Sequence, residues 1–598
     1  MSRSAGRIGW FLVWAVVFCD IGTSVYYVPG LLWQNTGDLA GFFVAATMVA
    51  FVLLCIKVVE VTRRFTGGGG VVSLAHEAFG PWWGALGGQL IIVDYFLTVS
   101  ISATSGVYYL DSILPLGSLI VPAVLTCLAL LCLLNIIGIK ESAMVSLGLA
   151  LAALTVDLAV IGTALFAAPT DVLATIPAEI PHLMDLSPYA ALSGYAGAWL
   201  AFSGLESMSQ LAPAMKDVNE TPRRGMIAVV LSVVLTAPLL TFLSTASLSD
   251  TVKAAESERF ISALAGVWGG HGLEVAVVIT ASALLLFAAN TAIIGAYHVQ
   301  LALQKRSFLP ESLSVLSHRF QTPYRAIVLC TLVPAAIVIV ANGNMTVLGD
   351  LYAFGLLGAF VLTSVGMDVL RWREGQRGAR FWLGVLTSVA VVVAWGVNLY
   401  AKPLATVFGG GITVIGLVVA HGSYRGWLAD LVERIPGMKA PERVESTEGN
   451  FLGLEQLRAL PRSAVPGVLV ASRGATRKIF QEAVDRAKGR GLGHVFIVYV
   501  DEVPGLFYPQ LPQPTPEGIT VLETGCQILR DLGTEPRPVW VLSHSAATAV
   551  AEAAEASGCD TVVIGATQRT FLWQALRGRF IQEALRQLPA EIRLVVVG

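Results

Sequence analysis

Charge is what this sequence has least of. Only 13% of its 598 residues are Asp, Glu, Lys or Arg, about half the ~25% usual in a soluble domain. Together with an apolar content of 55% and a mean hydropathy of +0.70, that scarcity excludes a single soluble globular fold. Clusters of basic residues are also missing. With a formal net charge of −2, the chain offers none of the cationic patches that hold nucleic acid, and no nucleic-acid partner is expected. Cysteine is sparse as well: Cys19, Cys55, Cys127, Cys132, Cys330, Cys526 and Cys559 form no CxxC pair and no metal-ligand spacing, so they read as small core hydrophobes. A cleaved leader is not expected, because the first apolar stretch, Ile8 to Trp33, is too long and no small-residue cleavage site follows it.

The charges that are present mark a seam. From Ser423 onward, 176 residues hold 19 of the 39 Lys and Arg and 19 of the 41 Asp and Glu. The first part is thus expected to sit in lipid and the second in water, giving a membrane domain over 1–422, a linker over 423–466 and a polar domain over 467–598. A span needs ~20 mostly apolar residues. The pattern predicts twelve, near 8–34, 40–61, 82–110, 116–137, 142–168, 188–212, 225–247, 272–303, 325–342, 346–370, 381–400 and 404–422. Basic residues recur in alternate loops: Arg63 and Arg64, Lys140, Lys216 with Arg223 and Arg224, Lys305 with Arg306, and Arg371 to Arg380. Loops 111–121, 169–187 and 341–345 carry none. By the positive-inside rule, both termini and the polar domain face the cytoplasm, in a plasma (inner) membrane.

Within the apolar spans, carboxylates stand out, since ionisable residues at membrane depth mark substrate or proton paths by default. Asp20 lies in Cys19-Asp20-Ile21-Gly22-Thr23-Ser24, Glu206 in Phe202-Ser203-Gly204-Leu205-Glu206, and Asp94 in Val93-Asp94-Tyr95. Glycine beside the first two predicts broken helices, because unwound backbone is tolerated in a membrane only where it lines a cavity. Breaks in the first and sixth spans are what an inverted repeat of five plus five helices produces, with binding at the midplane. Asp94, Thr98 and Ser102 fall at i, i+4 and i+8, on one helical face. Tyr352 in the tenth span adds a hydroxyl, Asp350 lies nearer the membrane edge, and Asp157 in the fifth span reads equally as a structural anchor or a functional group. No Lys or Arg is expected at membrane depth to neutralise the three acids, so a hard cation or protons must do so, and oxygen ligands suit such cations. The Thr66 to Gly70 run lacks the Lys-Ser/Thr ending of a phosphate loop and reads as a turn.

These residues carry a resemblance. Asp20-Ile21-Gly22-Thr23-Ser24 with Tyr27, Asp94-Tyr95 with Thr98 and Ser102, and Ser203-Gly204-Leu205-Glu206 resemble the KUP/HAK/KT potassium uptake family, in particular its KimA-type bacterial importers, within the amino acid/polyamine/organocation superfamily. Gly67 to Gly70 and Leu351 to Met367 match as well, and Ser203 stands where a Thr is usual. The resemblance implies a LeuT-like fold and potassium/proton symport, not an enzyme. Asp20, Tyr27, Asp94, Tyr95, Thr98, Ser102, Ser203, Glu206 and Tyr352 would serve cation binding and proton coupling. Potassium would sit at Asp20, Thr98, Ser203 and Tyr352, with Glu206 carrying the proton. The alternative is a proton-coupled amino-acid permease of the same superfamily, which the sixth-span motif fits equally. Asp20 argues against it, because it would repel a substrate carboxylate. A sensor or scaffold without transport would lack converging charges.

Beyond 466, short β-rich runs alternate with helical patterns: Val468 to Ala471, Val495 to Val500, Val539 to Leu542, Thr561 to Ile564 and Arg593 to Val597. That alternation predicts a doubly wound α/β sheet. The order of elements and Val563-Ile564-Gly565 through Gly578 resemble the universal stress protein family. Gln568 and Arg579 replace the usual loop Gly and closing Ser/Thr, and Ser472 replaces an Asp. These departures argue against ATP binding and for a homodimerisation or regulatory role; the KimA-type resemblance implies cyclic di-AMP as a regulator, and a nucleotide, ATP or cyclic di-AMP, would be held at Gly565 and Gly578.

Overall fold

The computed structural model describes residues 8–138, 143–317, 320, 322–428, 451–460, 467–489, 494–502, 514–543, 545–565 and 580–597. The described residues fall into two compact units, 8–428 and 451–597.

The first unit is helical. It opens with α1 (Trp10–Ile21), α2 (Ser24–Thr36), α3 (Ala40–Arg64), a short α4 (Gly70–Phe79) and α5 (Pro81–Asp111). Next come α6 (Ile120–Ile137), α7 (Ala143–Ala167), the short α8 (Thr170–Ala178) and α9 (Ile180–Met184), α10 (Pro188–Ala198) and the four-residue α11 (Ser207–Gln210). The rest is α12 (Thr221–Ser247), α13 (Asp250–Ala255), α14 (Phe260–Lys305), α15 (Tyr324–Val340), α16 (Met345–Arg373), α17 (Ala379–Ala401) and α18 (Pro403–Arg425). Among the described residues, nine stretches are long and apolar enough to cross a bilayer, with Trp10–Arg64 counted as one and Tyr324–Val340 falling just short. The protein is therefore a polytopic membrane protein. Its outward surface agrees: Val49, Phe166, Val340 and Val407 stand largely exposed, which lipid accepts and water would penalise. α5 is the opposite case, buried along nearly its whole length from Gly84 to Val107, because other helices enclose it on all sides.

Two helices are interrupted where glycine precedes polar residues. Between α1 and α2 the break is slight: Gly22 and Thr23 keep right-handed helical angles. The freed carbonyls are taken up locally, with Thr23 Oγ1 donating to Asp20 O at 2.6 Å and Ser24 Oγ donating to Ile21 O at 2.7 Å. After α10 the break is complete. A 3₁₀ turn at Trp199–Phe202 gives way to extended Ser203 (φ −56°, ψ 141°) and to Gly204 at φ +92°. α14 contains a third interruption, at Gly270 (φ 75°, ψ 175°), so its apolar length begins close to the residue 272 expected from the sequence.

The second unit is an α/β domain. Strands β1 (Gly467–Ala471), β2 (His494–Glu502), β3 (Glu535–Ser543), β4 (Cys559–Gly565) and β5 (Arg593–Val597) form one parallel sheet in the order β3-β2-β1-β4-β5. Alternate side chains point to opposite faces. Val468, Val470, Val495 and Ile497 pack beneath α20 (Arg477–Lys488) and α21 (Pro516–Asp531). Leu469, Phe496, Val498 and Val539 pack with α19 (Leu454–Ala459), α22 (Ala546–Ser557) and α23 (Phe580–Gln587) on the other face. Burial on both faces is why the strands read as unbroken apolar runs. Residues 451–460, placed in the linker from sequence, belong with this sheet: Leu452 exchanges backbone hydrogen bonds of 3.0 Å with Pro538 and Trp540, and Leu457 is fully buried. Of the cysteines, Cys127 and Cys132 are only partly buried; the other five are core residues. In this domain burial pushes the Cys559 thiol up to about 12.

Candidate functional site

Five elements meet at the two breaks. Asp20 comes from the end of α1, Tyr27 from the first turns of α2, Asp94 and Thr98 from α5, Ser203 and Glu206 from the break before α11, and Tyr352 from α16. All seven are buried, Asp94 and Tyr352 completely. Tyr352 is the hub: its hydroxyl lies 2.6 Å from Thr98 Oγ1 and hydrogen-bonds Ser203 Oγ. Thr98 in turn donates to Asp94 O, one turn back, at 2.9 Å. Tyr27 lies beside Thr23 and Ser203.

Among the described residues, no cationic side chain pairs with these carboxyls. Asp94 and Glu206 face one another, with Tyr352 beside Asp94, and no Lys or Arg among the described residues pairs with any of their four buried oxygens. Asp20 lies close to Glu206 and Ser207. A Cβ on Gly204 would stand 2.6 Å from Asp20 Cγ, so the second break must be glycine both for its positive φ and for this approach. Among the described residues, no group of three or more His, Cys, Asp and Glu is arranged to hold a metal ion. What the cluster offers is hydroxyl and carboxyl oxygen at the meeting of interrupted helices.

Not every expected member joins. Tyr95 turns toward Gln210, which donates to its hydroxyl, and its ring rests against Gly295; it is a neighbour of the cluster through Gln210. Ser102 is fully buried, and its Oγ is drawn into no hydrogen bond. Asp350 pairs with Lys402 at 2.9 Å, beside a cavity of about 290 Å³ that Tyr189, Leu31 and Leu200 help line. Ser207 and Gln210 were missed in the sequence; standing one and four residues after Glu206, they are the two ends of the short helix α11 that follows it.

A lysine toward the end of α3 is buried without entering the cluster: Lys57, 1% exposed, pairs with Asp368 of α16 at 2.8 Å. Ser364 Oγ at 2.8 Å, Gly384 O at 2.7 Å and Ser388 Oγ at 3.0 Å share its two remaining donors. It is therefore committed to Asp368, leaving the three-acid cluster uncompensated.

In the second unit, Gly565 closes β4, and a Cβ there would come within 2.9 Å of Ile479 Cδ1, which is a packing reason for glycine. Gly578, Gln568 and Arg579 lie outside the described residues. At the end of β1, Ser472 Oγ accepts from Gly474 N at 3.2 Å, and Arg473 pairs with Glu502 at 3.1 Å.

Comparison with known proteins places this architecture. The family model described as Amino acid permease matches residues 8–420. The chain belongs to that family. This permease domain is thus an amino acid/polyamine/organocation transporter unit, non-catalytic, and the Universal stress protein family model matches residues 468–595. Among its relatives, the potassium transporter KimA of Bacillus subtilis is 23% identical over 56% of this chain, and the match spans 55% of KimA. The branched-chain amino acid permease BcaP of Lactococcus lactis is 25% identical over 68% of the chain and 92% of its own length. An uncharacterized transporter of Mycobacterium tuberculosis is 24% identical over 68% of the chain and 88% of its own length.

Proposed function

We propose that this permease is a proton-coupled importer of a small monovalent cation, with potassium the first candidate. The observation that carries the reading is the facing pair of buried carboxyls on Asp94 and Glu206, beside Asp20 and with no Lys or Arg paired to them among the described residues. Three ionised acids cannot share one low-dielectric pocket without positive charge, so the site asks for a cation, protons, or both. In this reading Asp20, Thr98, Ser203 and Tyr352 coordinate potassium, Asp20 and Tyr27 couple occupancy to gate closure, and Glu206 exchanges the proton. The two breaks would lie at the midplane of a twelve-span, five-plus-five inverted repeat, with both termini cytoplasmic.

An amino-acid cargo is the second reading, and the comparisons favour it: the family description and BcaP both name amino-acid permeases. Its chemical difficulty is Asp20, set where a substrate carboxylate would otherwise meet backbone N–H groups.

Purified protein in liposomes separates the two. Under an imposed pH gradient, potassium or rubidium accumulation is expected, with no accumulation of labelled branched-chain amino acids, serine or threonine. Amino-acid accumulation without cation movement would replace this reading with the second.

For the α/β domain we propose homodimerisation and regulation, with a nucleotide as the ligand. A rise in the unfolding temperature of the full-length protein with ATP or cyclic di-AMP is the expected result; no rise with either would leave dimerisation alone.

A further inference from the structure

Asp157, in the middle of α7, is 1% exposed and lies apart from the three-acid cluster. Its Oδ1 is 3.1 Å from the Tyr26 hydroxyl, while its Oδ2 is buried with no hydrogen-bond partner. Tyr26 is itself held in place. The Tyr109 hydroxyl donates to Tyr26 O at 2.8 Å, and the two rings meet edge to face at 5.6 Å.

Among the described residues, no Lys, Arg or His pairs with Asp157. The ionisable groups near it are Tyr26 of α2, Tyr109 of α5 and, beside Tyr26, Cys19 of α1; Arg259, which acts on Tyr109 from its other side, is paired with Asp111 and Glu256. α12 carries no ionisable residue between Arg224 and Ser247, and α14 none between Glu274 and Tyr297. A structural anchor for one tyrosine hydroxyl needs only a neutral acceptor, which Asn or Ser supplies without a charge. Leaving a full charge here with a single neutral donor would cost several kcal/mol. An acid is useful at such a place when it can gain and lose a proton.

Its connection to the cargo cluster runs through adjacent residues. Tyr26 and Tyr27 follow the first break on α2, about 100° apart around the helix. One reaches Asp157, and the other stands beside Thr23 and Ser203. Any rearrangement of the turn at Gly22–Ser24 that shifts Tyr27 also shifts the donor on Asp157.

We propose that Asp157 is a proton-binding site distinct from the cargo cluster and coupled to it through the Tyr26–Tyr27 turn. The carboxylate takes a proton from water on one side of the membrane, forming a carboxyl O–H bond. When the α1–α2 turn rearranges, that bond breaks and the proton passes to water on the other side. The inference rests on the proton coupling proposed above.

Two measurements on the full-length protein in lipid test it. In pH-difference infrared spectra, a protonated-carboxyl C=O band is expected that Asp157→Asn removes and Glu206→Gln leaves. Tyr26→Phe, which keeps the ring packing, is expected to shift that band. In liposomes, Asp157→Asn is expected to retain rubidium exchange at equilibrium while pH-driven accumulation falls to the level without a gradient. A spectrum unchanged by Asp157→Asn, or accumulation equal to wild type, overturns the proposal. The infrared result does not depend on the cargo, so failure of the cation reading and failure of this one are told apart.

Discussion

Asp20→Asn and Glu206→Gln should each reduce potassium uptake to the level of empty vector in a bacterium lacking its own uptake systems, with membrane expression unchanged. Both substitutions preserve shape and remove charge. The expectation follows from the site's electrostatics: Asp20 lies near Glu206, and Glu206 faces Asp94 with no Lys or Arg joining them. Removing one acid lowers the negative charge that would hold a cation and removes one place where a proton can be exchanged for it. Glu206→Gln should also abolish the dependence of any residual uptake on the pH gradient, whereas Asp20→Asn should weaken cation affinity most. Complementation assays over a range of potassium concentrations, with protein quantified in membranes, check both. Full rescue by both variants would remove the cluster from the transport path.

How much of this site could be read from the sequence depended on whether the signal was local. Glycine beside a carboxylate gave the second break, because Gly204 must adopt a positive φ and admit Asp20. The i, i+4 spacing gave Asp94 and Thr98 a shared face, and both do meet Tyr352. The slightness of the first break was not legible, because it depends on Thr23 and Ser24 returning hydrogen bonds to the carbonyls freed at Gly22. Tyr95 followed the motif but turned to Gln210, a partner 115 residues away. In the α/β domain the strands were legible as apolar runs buried on two faces. The attachment of residues 451–460 was not, since a single bridge from Leu452 to β3 has no periodicity to detect. Lys57 shows the same limit more sharply. Seen alone it is one charge near the end of an apolar span, and its partner stands 311 residues further on.

That partnership supports the second large prediction. Lys57 and Asp368 tie α3 to α16, and the same contact region continues outward through Arg371 with Glu60 and Arg64 with Glu374. Breaking a buried pair by removing one partner typically costs about 3–5 kcal/mol, while replacing both with apolar groups is often neutral. The two single variants should differ. With Lys57→Met, Asp368 keeps the Ser388 hydroxyl at 2.5 Å and Arg371 at 4.0 Å, so the loss should fall at the lower end of that range. With Asp368→Leu, the Lys57 ammonium stays buried among Ser364, Ser388 and Gly384 oxygens with no anion in contact, and the loss should be the larger. The double variant should recover most of the stability that either single loses. Unfolding midpoints of the purified protein in detergent supply the cycle. Equal, additive losses in the two singles and the double would mean that Lys57 and Asp368 do not stabilise one another, and that the neutral oxygens around the lysine are enough to hold it.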